Sequence, residues 1–385
     1  MVKVDRFFLL FIPLLTLIIG LGYLSFGPVF SSGGDFLSYE AVALNILNGN
    51  GFSYNGIDPM VGDAPAYPLF LAGIYKVFGH SHDAVRIVQI LLLAGIGIMT
   101  YLASRRHLKL SGALSGLAAV LVVVWPYFIL YTTLLLTETF YAFFLMLGVF
   151  FLLEFNQSFS KKTGVISGLA MTVAALARPI ALFLPFWSAF FGFLLKRKKE
   201  IFKKQLLIIL VCLAVLSPWT IRNFIQFKTF IPVVDWLLPS IGAVFMEKYA
   251  GESYFEPLTS NPAESIKARL KNIVLFWNPG AQGTRAQELL ENNPQIKYAF
   301  LIYKVFFFIL LFLCFLSLLY IKRKEVFLLW SVIFYSWVVS AIILPYPRYT
   351  LPIIPLVIML ALFSISRILN HFSSTPALVE KQINS

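Results

Sequence analysis

Charge is scarce in this 385-residue chain: Asp, Glu, Lys and Arg make up 13% of it, while 59% is hydrophobic. Soluble domains carry about 25% charged residues, so the shortage, with a mean hydropathy of +0.82, excludes an ordinary soluble enzyme and defines a polytopic membrane protein. Cysteine is nearly absent. The two present, Cys212 and Cys314, lie inside apolar runs, which excludes a disulfide framework or a thiolate metal site and leaves packing roles. No repeat of about 20 to 50 residues is visible, nor an inverted pair of Gly/Pro-broken spans, which counts against a transporter. Lys and Arg are missing altogether from Phe7 to Tyr75.

What is present is a series of apolar runs near the length of about 20 residues that a bilayer requires. Spans are expected near 7–27, 84–104, 112–131, 135–155, 163–178, 180–195, 205–220, 299–321, 326–344 and 351–368, giving an all-α bundle of about ten transmembrane helices. Basic residues cluster at Lys3/Arg6, Arg105/Arg106/Lys109, Lys161/Lys162, Lys196 to Lys204 and Lys322/Arg323/Lys324, in every second loop. The positive-inside rule makes those loops and both termini cytoplasmic. The net charge of +13 is therefore a topology signal with anionic headgroup contact, and its dispersal over short loops speaks against nucleic-acid binding. The basic, apolar N-terminus reads as an uncleaved first span, being longer than a usual secretory signal. The lone sequon, Asn156-Gln157-Ser158, falls on the cytoplasmic side.

A single transmembrane domain is expected over 1–370, with external loops at about 28–83 and 221–297 and a loose polar cytoplasmic tail at 371–385. The first loop carries Asp35, Glu40, Asp58 and Asp63 and a Gly/Asn patch at Asn48–Gly51. Within it the spacing predicts a helix over Tyr39 to Leu47, and an apolar stretch from Tyr67 to Phe78, too short to span, is expected as an interfacial helix. The second loop holds Arg222, Asp235, Glu247, Lys248, Glu252, Asn261-Pro262 and Trp277-Asn278-Pro279-Gly280.

Under this topology Asp35, Glu138, Arg178, Arg222 and Arg348 all fall at the outer ends of spans, where charge is costly and often functional. Guanidinium forks grip phosphate oxygens while a carboxylate can deprotonate a nucleophile, so the set suits transfer at a lipid-linked phosphate. Plainer roles exist for each. Asp35 could cap a helix, Glu138 could pair with a helix dipole, Arg178 could snorkel to headgroups, and Arg222 beside Trp219 could anchor the interface. Two prolines fix the chain at Arg348 in Pro345-Tyr346-Pro347-Arg348-Tyr349. His80-Ser81-His82 offers two metal-capable rings without a third ligand, so no metal site is assigned there.

The order Gly34-Asp35, Tyr39, Ala43–Leu47, Gly49, Gly51-Phe52, then Pro65–Ala72 and Phe78-Gly79, resembles the first external loop of the GT-C membrane glycosyltransferases. Bacterial members of the protein O-mannosyltransferase and lipid A aminoarabinose transferase group are the nearest in pattern. Leu136-Thr137-Glu138, Ala177-Arg178-Pro179, Ser217-Pro218-Trp219, Arg222-Asn223 and Arg348-Tyr349 resemble later landmarks in the same order. The resemblance implies a GT-C-like bundle that moves a hexosyl or pentosyl unit, with inversion, from a polyprenyl-phosphate donor. The acceptor would be a lipid, glycan or protein on the outer face of a bacterial cell membrane. It assigns Asp35 as general base, Glu138 as a second acid, Arg178, Arg348 and Tyr349 to the donor phosphate, and Tyr39, Asp63 and Tyr67 to the substrate loop. No cofactor is fixed, and a divalent metal remains an option. Phe36 stands where the mannosyltransferase pattern has a second acid, and Asp63–Tyr67 lacks a basic residue and a proline often found there. A transporter or flippase of lipid-linked saccharides, or a non-catalytic GT-C-like subunit, is the alternative reading.

Overall fold

The computed structural model describes residues 3–26, 34–195, 199–237, 262–278, 294–343 and 347–383. Lys196, Glu247, Lys248, Glu252, Asn261, Pro279, Gly280, Pro345 and Tyr346, considered above, lie outside them. The described chain is all helical apart from loops and one isolated bridge, Ser53 to Pro59. In order the helices are α1 (Lys3–Phe26), α2 (Asp35–Leu47), α3 (Ala66–Phe78), α4 (His82–Arg106), α5 (Gly112–Val123), α6 (Pro126–Thr133) and α7 (Thr137–Ser158). There follow α8 (Lys161–Ala177), α9 (Leu184–Leu194), α10 (Lys199–Phe227), α11 (Pro262–Phe276), α12 (Pro294–Leu316), α13 (Lys324–Ile343) and α14 (Ile354–Ile383). Tight 3₁₀ turns occupy Pro179–Ala181, Ser317–Tyr320 and Pro347–Ile353.

Local chemistry sets these boundaries. Ser81 and Ser111 cap α4 and α5, their hydroxyls accepting the Ala84 and Leu114 N–H groups at 3.3 and 3.2 Å. Pro126 ends the run of α5 and begins α6 at a 46° bend, because a proline nitrogen cannot continue the hydrogen-bond ladder. Seven described helices are long and apolar enough to cross a membrane, or eight if the bent pair counts as one span. The other two expected spans fold as α8 and as the short apolar stretch Pro179–Leu194, with the break at Arg178-Pro179. The segment expected as a loose tail continues α14 in helical backbone to Ile383.

Small residues let the helices approach. The Ser167 hydroxyl of α8 donates to the Gly148 carbonyl of α7 at 2.9 Å, and a Cβ on Gly148 would meet Met171 at 2.7 Å. On the other side of α8, a Cβ on Gly168 would come within 3.1 Å of the Ile208 carbonyl of α10. Close backbone approach of this kind replaces the hydrophobic drive that is lost in lipid. The first turns of α14, Ile354 to Phe363, are buried on every side, so this part of the helix runs through the packed interior.

The long connection between α1 and α4 is ordered by side-chain to backbone bonds. The Asn45 amide donates to the Ser53 and Tyr54 carbonyls at 3.1 and 3.0 Å, closing the Gly/Asn patch, where Gly49 and Gly51 take φ of 81° and 73°. The C-terminal end of α10 ties this loop to the residues that follow that helix. Arg222 donates to the Met60 and Phe52 carbonyls at 2.8 and 3.2 Å, and Trp236 donates to the Gly62 carbonyl at 3.0 Å.

Candidate active site

Glu138 lies in the first turn of α7, where the helix dipole favours an acid. Its side chain is 1% exposed. The turn leading into α7 is held by Gln89, a buried amide in the first third of α4 whose nitrogen donates to the Thr132 and Leu134 carbonyls at 2.9 and 2.8 Å. Arg178 ends α8 in extended backbone, because the following proline disfavours helical geometry before it. That turns its side chain onto α7, where Nη2 lies 2.5 Å from Glu138 Oε1 and Nε donates to Thr137 Oγ1 at 2.9 Å. From the 3₁₀ turn before α14, Arg348 reaches the same carboxylate, with Nη1 at 3.7 Å. Its Nη2 lies 3.5 Å from Asp35 Oδ2. The Tyr349 ring lies under both guanidiniums, 4.7 Å from Arg178 and 5.8 Å from Arg348.

Two acids and two arginines therefore form one chain of charges, with Glu138 at the buried end and Asp35, 53% exposed, at the open end. The approach of Arg178 to Glu138 is an ion pair and lacks hydrogen-bond geometry. Among the described residues, neither Glu138 oxygen nor Arg178 Nη1 has a hydrogen-bond partner. Leaving a buried polar group unsatisfied costs about 1–3 kcal/mol, and more for a charged one. Such a cost is retained where a bound group can relieve it.

The structure corrects several plainer readings. Asp35 is the first residue of α2 and not its cap; Gly34 takes the cap position with φ of 72°. Arg178 is buried against Glu138 and does not snorkel. Arg222 is more than an interfacial anchor, since its guanidinium holds two loop carbonyls and stacks over Trp219 at 4.9 Å. Tyr67 is fully buried, its hydroxyl donating to Gln89 at 2.9 Å, so it packs α3 onto α4. Tyr39 is partly buried beside it, the rings 5.4 Å apart, and burial, with Asp35 and Asp63 adding, holds its phenol protonated well above the ordinary range. Asp63 accepts a hydrogen bond from the Ser38 hydroxyl. Burial, with Asp35 and Asp235 adding, raises the Asp63 carboxyl above its usual value against that bond.

Sequence reasoning missed Gln89, Thr137 and the set Glu40, His80 and His82. Gln89 was detectable as a lone amide inside an apolar run. Glu40 lies 40 residues from His80, and no pattern in the chain joins them. These three are, among the described residues, the only group of three metal-capable side chains whose ligand atoms lie within 4.8 Å of one another.

The helical bundle has the GT-C fold, as comparison with solved structures shows. Residues 62–221 match the family described as dolichyl-phosphate-mannose-protein mannosyltransferase. ArnT from Cupriavidus metallidurans bound to undecaprenyl phosphate superposes with a TM-score of 0.62 at 16% identity, covering 93% of this chain and 60% of that one. The Archaeoglobus fulgidus oligosaccharyltransferase AglB, in complex with an inhibitory peptide and a dolichol-phosphate, gives 0.61 at 14% identity, covering 98% and 52%. The chain thus spans about three fifths of the length of ArnT and about half that of AglB. No curated protein matches it in sequence.

Proposed function

We propose that this chain is a membrane glycosyltransferase that takes a sugar from a polyprenyl phosphate and passes it to an acceptor at the outer face of a bacterial cell membrane. The observation that carries the reading is the pair of arginines converging on buried Glu138, with an unsatisfied guanidinium nitrogen on Arg178 and an exposed carboxylate on Asp35. ArnT binds undecaprenyl phosphate and AglB a dolichol-phosphate on the same fold. In this reading a donor phosphate oxygen takes the open Arg178 Nη1, and a second draws Arg348 away from Asp35. The freed Asp35 carboxylate accepts the proton of the acceptor hydroxyl or amine as it attacks the anomeric carbon. The bond from that carbon to the phosphate oxygen breaks with inversion, and the polyprenyl phosphate leaves with its charge held by the two guanidiniums. Tyr349 fixes the plane of both forks, and Tyr39, a neutral phenol one helical turn from Asp35, donates a hydrogen bond to the acceptor.

Deleting the gene and weighing surface glycans and lipids tests this, with complementation by wild type and by Asp35→Asn at equal membrane expression. Wild type should restore one sugar mass that the deletion removes. Asp35→Asn should lower turnover by about 10²–10⁴-fold. An unchanged envelope on deletion refutes the transferase and leaves a non-catalytic subunit. Full restoration by the Asn variant places the base elsewhere.

A further inference from the structure

We propose that Glu40, His80 and His82 form a zinc site that clamps α2 to the turn between α3 and α4, separate from the Glu138 network and independent of the transfer reaction. The Nε2 atoms of both histidines converge on one carboxylate oxygen, His80 at 2.7 Å and His82 at 2.5 Å from Glu40 Oε1. Two imidazoles and one carboxylate are a borderline donor set that suits Zn²⁺ over Mg²⁺ or Ca²⁺, which prefer oxygen alone. Around a tetrahedral zinc with bonds of about 2.0–2.1 Å, neighbouring donor atoms lie roughly 3.3 Å apart. All three donors already lie within 4.8 Å of one another, so a metal would enter by changing their separations by no more than about 1.5 Å.

The backbone holds the histidines for this. Gly79 takes φ of 74°, a conformation that side chains resist, and ends α3. The Ser81 N–H donates to the Gly79 carbonyl at 2.8 Å while its hydroxyl caps α4, so His80 and His82 flank a fixed turn. Tyr75 donates its hydroxyl to Glu40 Oε1 at 3.1 Å, the kind of outer partner that orients a ligating carboxylate. With His80 51% and His82 38% exposed, the cluster opens to solvent and leaves room for a water as fourth ligand. Glu40 follows Asp35 by five residues on α2, roughly 7.5 Å along the helix, which makes this a positioning site for α2 and not part of its catalytic end.

The experiment uses full-length protein without a histidine tag, purified in detergent, stripped with chelator and titrated with Zn²⁺ alone. Calorimetry should show one ion per chain, lost by more than about 100-fold in affinity in His80→Ala and Glu40→Gln and weakened about tenfold to 100-fold in Tyr75→Phe. Zn²⁺ should raise the melting temperature of wild type and leave His80→Ala unmoved; His80 is half exposed, so its removal spares the fold. Co²⁺ should give the visible bands of a four-coordinate site in wild type only. Zinc binding that is equal in wild type and His80→Ala overturns the proposal, as does no binding by wild type. In the second case the three residues are a hydrogen-bonded clamp and nothing more.

Discussion

Helix α7 carries two glutamates, one near each end, and they live in different worlds. Glu138 is 1% exposed, between two arginines, with no hydrogen bond to either oxygen among the described residues. Glu154, sixteen residues on, is 25% exposed and faces Arg106 and His107, each at 3.4 Å. Water screens the pair of Glu154 with Arg106, which is 56% exposed, and pairs of that kind contribute about 0–1 kcal/mol, while the His107 ring beside them is buried. At the Glu138 end the desolvation of two guanidiniums and a carboxylate is offset only by their mutual attraction, a poor exchange against packed apolar residues. On the function proposed above, the Glu138 network is retained for the donor phosphate, whereas at Glu154 the acid itself keeps contact with water.

The sharpest way to break the contrast is to neutralise each acid. Glu138→Gln leaves Arg178 buried without its counter-charge and should destabilise the protein by about 3–5 kcal/mol, read as a loss of melting temperature in detergent. Next in size is Arg348→Lys, which keeps the charge but loses the fork and should cut transfer about 10–100-fold at unchanged expression, as expected for about 1.5–3 kcal/mol of charge-assisted hydrogen bonding. Activity equal to wild type would refute phosphate recognition by Arg348. Arg222→Lys should cost about 1–2 kcal/mol in stability, since a lysine cannot hold the Met60 and Phe52 carbonyls together and stack on Trp219. A silent Arg222→Lys would return that residue to a simple membrane anchor. Smallest is Glu154→Gln, expected to change stability by less than about 1 kcal/mol; a loss as large as that of Glu138→Gln would erase the comparison between the two ends of α7.

Much of the site was legible because a membrane chain advertises its costly residues. Asp35, Glu138, Arg178 and Arg348 stand out as charges at the ends of apolar runs, and the alternation of basic loops puts them on one side. Their pairing was not legible. Arg178 and Arg222 look alike as arginines beside a span end with a proline nearby, yet one is buried on an acid and the other grips loop carbonyls. Tyr67, grouped with the substrate loop by its place in the sequence, turned out to be core because α3 lays that face on α4.

Composition, the length of the apolar runs and the distribution of Lys and Arg determined by themselves that this is a helical membrane protein, where its long helices run and which ends carry charge. Those properties follow from the one-dimensional cost of exposing polar groups to lipid, which each segment meets alone. Only the tertiary structure decided that Arg348 reaches Asp35 across 313 positions, that Arg178 closes on Glu138, and that Glu40 joins His80 and His82. Such partners are chosen by how helices cross and where Gly148 and Gly168 let them approach, and packing of that kind depends on side chains far apart in the chain that no local pattern records.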